Sequence, residues 1–401
     1  MGNRWQAGWA GRRGMLGADR VPASWRFAVT TFIGAKAVLT LVGMLALIAF
    51  DRMSWAPPAD EWTMRDQQQT VSPHRWLSFW FAWDSFLYDH LSGLPLDRPW
   101  REFGFPLLYP FLGRALAPLL GGHTAMALLV VANFAFLLML YYAHRLGEGL
   151  LGDDVAARRF VRYLVLLPAA FLFQAALTES LFLCLALAAF HYAERRRWVL
   201  VGVVGFFLAL SRSVGFLVVV PLASMLLSQH DLRFGRRVLW GCVRAGWPLL
   251  LLPSGWLTFM AFCRWQGGDW FAYQHAQKQG WGVSVQNPLG VLWHGLAGGS
   301  LADALRAGAA GLALVVLVAG VRQIGLPYVV YGVMMVLVPL SMGPPVYKSL
   351  LRYLLAAFPV ALVLAGWARP AALDRWLTAG LALLQGVLFV IWLAYWNHFI
   401  I

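Results

Sequence analysis

The chain reads as a series of apolar runs, several near the ~20 residues that a helix needs to cross a bilayer, joined by short basic connections. The runs lie near 27–50, 123–143, 161–177, 180–193, 198–211, 214–228, 238–263, 303–321, 325–341, 350–366 and 376–397. That pattern leaves one class of fold. In lipid each backbone amide must find its partner inside its own segment, so an all-α polytopic membrane protein of about eleven transmembrane or partly re-entrant helices is expected. Composition agrees: 12% of the 401 residues are charged, against about a quarter in a soluble domain. A disordered chain, a secreted disulfide scaffold and a nucleic-acid module are excluded. Cys184, Cys242 and Cys263 are scattered through apolar runs and read as small hydrophobes.

The formal charge of +14 is explained by topology. Residues 1–26, with Arg4, Arg12, Arg13, Arg20 and Arg26, read as a cytoplasmic arm ahead of a single membrane domain over 27–400. Alternating sides from there puts Arg145, Arg158 and Arg159, then Arg195–Arg197, then Arg233, Arg236 and Arg237, then Arg322, Arg369 and Arg375 inside, as the positive-inside rule requires. The long segment 51–122 becomes the first extracytoplasmic loop, expected to hold short interfacial or re-entrant helices. Residues 264–300 form the second. The runs 198–211 and 214–228 are best read as two short helices meeting at Arg212.

This topology gathers the unusual polar groups on the outer side, where intramembrane or interfacial charge suggests function. Trp83-Asp84 with Tyr88 and Asp89 lies in an aromatic stretch; an interfacial aromatic belt with a hydrated acid explains it as well as a site carboxylate able to take a proton does. Glu179, in Thr178-Glu179-Ser180, reads equally as a helix cap or as a cavity group. Arg212 between two short helices needs an anion, which Glu179 or a phosphate would supply. A helix over Trp270 to Gln277 would put Trp270, Gln274 and Gln277 on one face, near Trp281, in a chemistry suited to sugar. His275 alone reads as structural and not as a metal ligand. Lys348 and Arg352 would anchor to headgroups or hold a lipid-linked phosphate.

In this order the motifs resemble the PIG-V-like mannosyltransferases of the GT-C glycosyltransferase superfamily. The matching residues are Trp83-Asp84 with Tyr88, Phe105-Pro106 to Tyr109-Pro110, Thr178-Glu179-Ser180, Arg212-Ser213 with Gly215, Gly268-Asp269 with Ala276-Gln277 and Trp281, and Arg352-Tyr353-Leu354 with Phe358-Pro359. The match spans about 75–365. The resemblance implies a GT-C-like bundle in a bacterial plasma membrane. It also implies a hexosyltransferase that moves a sugar, mannose first of all, from a polyprenyl-phosphate donor to a hydroxyl of a glycan, glycolipid or protein on the extracytoplasmic face. Asp84 would be the general base of an inverting displacement, with Arg212, Lys348 and Arg352 on the donor phosphate. Trp83, Tyr88, Asp89, Glu179, Trp270, Gln274, Gln277 and Trp281 would bind sugar or acceptor. No metal cluster is apparent; a divalent ion, Mg or Mn, is compatible with the reaction but not required. The rival readings are a GT-C enzyme for another lipid-linked sugar, a lipid or sugar transporter, and a non-catalytic partner subunit.

Overall fold

The computed structural model describes residues 21–55, 74–97, 103–229 and 246–394. Arg4, Arg12, Arg13 and Arg20, the Arg233, Arg236 and Arg237 cluster, Cys242, and residues 56–73 and 98–102 of the first long loop lie outside the described residues. Among those described, the regular structure is helical, with no strand. The main helices are α1 (Val21–Arg52), α2 (Asp84–Gly93), α3 (Leu108–Leu116), α4 (Thr124–Leu151), α5 (Asp154–Leu166), α6 (Glu179–Glu194), α7 (Trp198–Ser211) and α8 (Val219–Gln229). They continue with α9 (Leu251–Gly267), α10 (Ala272–Trp281), α11 (Pro288–Gly298), α12 (Leu301–Ala319), α13 (Leu326–Leu340), α14 (Leu350–Leu354), α15 (Pro359–Trp367) and α16 (Ala371–Ala394). Four of the described helices are long and apolar enough to span a membrane, or five if the bent pair Pro344–Leu354 and Pro359–Trp367 is one span. The chain is an integral membrane protein whose shorter helices fill the bundle.

α4 and α6 are the centre. They run parallel: near their starts Ser180 Oγ donates to Ala132 O at 2.8 Å, and towards their ends the Tyr142 and Tyr192 hydroxyls meet at 2.9 Å. α1 and α3 pack on α4, α7 packs on α6, and α9 lies against α7. The α7–α9 crossing is close because small residues face it. A Cβ on Gly205 would sit 2.3 Å from Leu252 Cδ1 and one on Gly255 would sit 2.4 Å from the Phe206 carbonyl oxygen, the small-residue packing that lets membrane helices approach.

Two expected elements are corrected. The connection expected at 144–160 is mostly helix, because α4 runs on to Leu151 and α5 begins at Asp154. Gly152, at φ 84°, ends α4, and the Asp153 carboxylate caps α5 by accepting from Ala156 N at 2.6 Å. Arg145, expected in that loop, lies within α4, where it pairs with Glu148 at 3.0 Å one turn along. The run 161–177 is not one span: α5 stops at Leu166, just before Leu167-Pro168, and a 3-10 turn follows over Ala170–Gln174. Proline bars helical backbone at the residue before it. α1 also starts earlier than expected, with Arg26 inside it. The break between α7 and α8 falls at Arg212, where the 3-10 turn Ser213–Val218 begins.

Candidate functional site

Four charged groups from four distant parts of the chain meet toward the end of the bundle where α4 and α6 begin. Arg352 donates through Nε to Glu179 Oε1 and through Nη1 to Asp84 Oδ2. Arg212 Nη1 donates to the same Glu179 oxygen at 3.0 Å. Two guanidiniums and two carboxylates balance formally. Side-chain exposure rises from 1% at Glu179 and 6% at Arg352 to 13% at Arg212 and 19% at Asp84. The acid at the hub is therefore sealed, while one acid and one cation reach the surface of the site.

Each group sits at a helix end of the matching sign. Asp84 and Glu179 open α2 and α6, Arg212 closes α7 and Arg352 lies in the last turn of α14. Carboxylates at helix starts and cations at helix ends complement the helix dipole, by about 0.3–1 kcal/mol each. Backbone strain marks the first of them. Trp83, just before Asp84, has φ 52° and ψ −121°, a conformation that costs a non-glycine residue about 1–3 kcal/mol. Burial of its indole, 5% exposed, and the Ala82 amide donating to Ser85 Oγ at 3.2 Å hold it there.

The Arg212 turn depends on Gly215. A Cβ there would lie 2.2 Å from the Leu208 carbonyl oxygen, so the turn folds back onto α7 only with glycine. Arg212 then lies 5.3 Å from the Tyr353 ring and 5.9 Å from the Phe182 ring, in the cation–π range. Gly215→Ala is expected to cost about 1–3 kcal/mol, as overpacking does. A denaturation midpoint in detergent unchanged from wild type would disprove that account.

The other expected residues divide. Trp83 and Tyr88 are buried, 5% and 3% exposed, which overturns the reading of an interfacial belt at these two positions. The Tyr88 ring meets Phe105 and Tyr109 edge-on at 4.9 and 5.0 Å, and its hydroxyl lies 3.4 Å from Thr178 Oγ1, beside Glu179. Asp89 accepts from Thr124 Oγ1, tying α2 to the start of α4. Lys348 is exposed on the 3-10 turn Pro344–Ser349. The helix expected over Trp270–Gln277 begins at Ala272, so Trp270 precedes it and the expected common face is lost. Asp269 displaces the start: it accepts from Phe271 N at 2.8 Å and from His275 Nδ1 at 2.6 Å. These two donors, the Phe271 amide first, hold the Asp269 carboxyl below its ordinary range. Trp270 and Gln274 are exposed. Gln277 Nε2 donates to Gly104 O at 2.9 Å, and Trp281 stands edge-on to Phe105 at 5.5 Å. Trp281, Phe105 and Tyr88 thus form an aromatic path from α10 to Thr178.

Sequence reasoning missed Lys36. Its ammonium lies 3.9 Å over the Trp80 ring and 3.4 Å from Gln174 O, a carbonyl that also receives Asn133 Nδ2 at 3.2 Å. Trp80 O in turn accepts from Ala176 N at 2.9 Å. The segments leading to Asp84 and to Glu179 are pinned together here. One lysine in the middle of the first apolar run was the available signal. His144, Glu148 and Asp154 are the described residues that group as potential metal ligands. They lie ~30 Å along α4 from Thr124, at ~1.5 Å per residue, and Arg145 and Arg158 already pair with the two carboxylates.

No protein-family model and no curated protein matches the chain. Five chains of solved structures do. One is the crystal structure of ArnT from Cupriavidus metallidurans bound to undecaprenyl phosphate, at TM-score 0.50 and 12% identity, covering 93% of this chain and 76% of that one. The likeness shows a shared all-helical polytopic fold.

Proposed function

We propose that this protein is a glycosyltransferase that moves a sugar from a polyprenyl-phosphate carrier to an acceptor hydroxyl. The observation that carries the reading is the meeting of Asp84, Glu179, Arg212 and Arg352 at helix ends. A fold shared with a protein crystallised on undecaprenyl phosphate supports the donor class. Mannose is the sugar favoured by the PIG-V-like motifs, and the extracytoplasmic side is the one favoured by the basic clusters. Arg145, Arg159 and Arg195 lie toward the opposite end of the bundle from Asp84.

Asp84 is the base. Its carboxylate is the most exposed of the four groups and is held in one orientation by Arg352. It takes the acceptor proton as the hydroxyl attacks the anomeric carbon on the face away from the phosphate, which inverts the centre. The leaving group is a phosphate and departs without a proton, so cations serve it better than an acid does. Arg212 is the cation best placed at the start of the reaction, because one nitrogen meets Glu179 and the rest of the guanidinium fork is open to a phosphate. Lys348 supplies charge from the exposed turn. Glu179 is a positioning residue, and Gln277 and Trp281 shape the acceptor side. A divalent ion has no gathered ligand set at Asp84 among the described residues.

The direct test is transfer by the purified protein. Radiolabelled mannose should pass from polyprenyl-phosphate mannose, and not from a nucleotide-linked mannose, to acceptors in a membrane extract. Transfer from the nucleotide sugar alone would overturn the donor assignment.

A further inference from the structure

Arg352 grips two carboxylates with different edges of its guanidinium, Nε on Glu179 and Nη1 on Asp84. The two grips are unequal. Glu179 is sealed and shared with Arg212, whereas Asp84 is the more exposed partner and belongs to α2, a short helix in the first long loop.

The reaction read above relocates one negative charge. An O–C bond forms from acceptor to anomeric carbon, and the C–O bond to phosphate breaks. The acceptor proton passes to Asp84 and the bonding pair leaves on the phosphate. Asp84 becomes neutral as the phosphodiester becomes a more highly charged monoester, so atoms and charge balance within the site. A guanidinium whose partner has just been neutralised loses the ion pair and keeps only a weaker hydrogen bond, and in a desolvated place it needs another anion.

Resting on the assignment of Asp84 as base, we propose that Arg352 changes partner during the reaction. Its Nη edge leaves Asp84 as that carboxylate takes the proton and turns to the departing phosphate, while Nε stays on Glu179. Before transfer Arg352 aims the base; during transfer it stabilises the leaving group. One side chain serves both ends of the displacement because Glu179 supplies the fixed pivot.

A neutral residue at position 84 imitates the state after proton transfer. The full chain in detergent micelles is titrated with undecaprenyl phosphate, with undecaprenol as the control lacking phosphate. Asp84→Asn should bind undecaprenyl phosphate about tenfold tighter than wild type, the lower range for coupling between close charges, with undecaprenol binding unchanged. Adding Arg352→Gln should abolish the gain. If that double variant does not fold, Arg352→Lys replaces it, since an ammonium that holds Glu179 has no second edge to offer. A folded Asp84→Asn protein that binds no tighter would overturn the exchange, and so would a gain that persists without Arg352, which would reflect simple loss of a nearby negative charge. Wild-type transfer by Asp84→Asn would instead remove the base assignment beneath it.

Discussion

Asp84→Asn is expected to slow sugar transfer by about 10²–10⁴-fold, the contribution of a positioned general base, equivalent to about 3–5 kcal/mol in the barrier. Asparagine keeps the shape, but it cannot take a proton and, being neutral, holds Arg352 only weakly. Because Arg352 keeps Glu179 and Arg212 keeps its own bond to that acid, the site should stay assembled. The loss should therefore fall on the turnover number, while the donor's KM stays level or falls as the freed Nη edge of Arg352 turns to phosphate. Single-turnover transfer from polyprenyl-phosphate mannose measures it, with thermal unfolding run alongside. A rate within about twofold of wild type in folded protein would exclude Asp84 from proton transfer; a loss confined to KM would make it a binding group.

Glu179→Gln should act on the fold first. Glu179 is the one acid that both guanidiniums share, and its side chain is 1% exposed. Removing its charge leaves Arg212 without an acid and Arg352 with Asp84 alone. Breaking a buried ion pair from one side costs about 3–5 kcal/mol, because the stranded charge stays desolvated. Denaturant unfolding in micelles should show a loss in that range. It should exceed the loss in Asp84→Asn, whose carboxylate is nearer the surface. A loss under about 1 kcal/mol would mean that solvent reaches the hub and that the four-residue cluster is not a closed unit.

The long spans α1, α4, α12 and α16 were legible because hydropathy reports which backbone must live in lipid, whereas the runs 161–177 and 350–366 are broken or bent. Their interruptions were less so, since they turn on single residues: Pro168 ends α5 early, and Asp153 starts it in what read as a loop. Asp84, Glu179, Arg212 and Arg352 stood out as charges beside apolar runs. That Arg352 joins Asp84 to Glu179 did not, because the pairings reach across 268 and 173 residues and nothing local encodes them. Trp83 and Tyr88 looked interfacial because aromatic rings serve belt and core alike; burial separates the two, and for Tyr88 so does packing against Phe105, Tyr109 and Thr178. Lys36 was overlooked for the opposite reason. One charge in a long apolar run barely lowers its hydropathy, yet its contacts with Trp80 and Gln174 brace both acid-bearing segments.

The placement of all four charged groups at helix ends bears on how such a protein changes over evolutionary time. A residue in mid-span is committed to its neighbours on every side, so altering it disturbs the packing of a whole helix. A terminal residue leaves the turns of its helix undisturbed, and these four answer chiefly to one another. Asp84 and Arg352 sit on helices of 10 and 5 residues, short pieces carried on the long ones. Changes on these short helices can therefore shift Asp84 and Arg352 while the long helices α1, α4, α12 and α16 keep their seats. The charged cluster can thus vary without the scaffold varying with it.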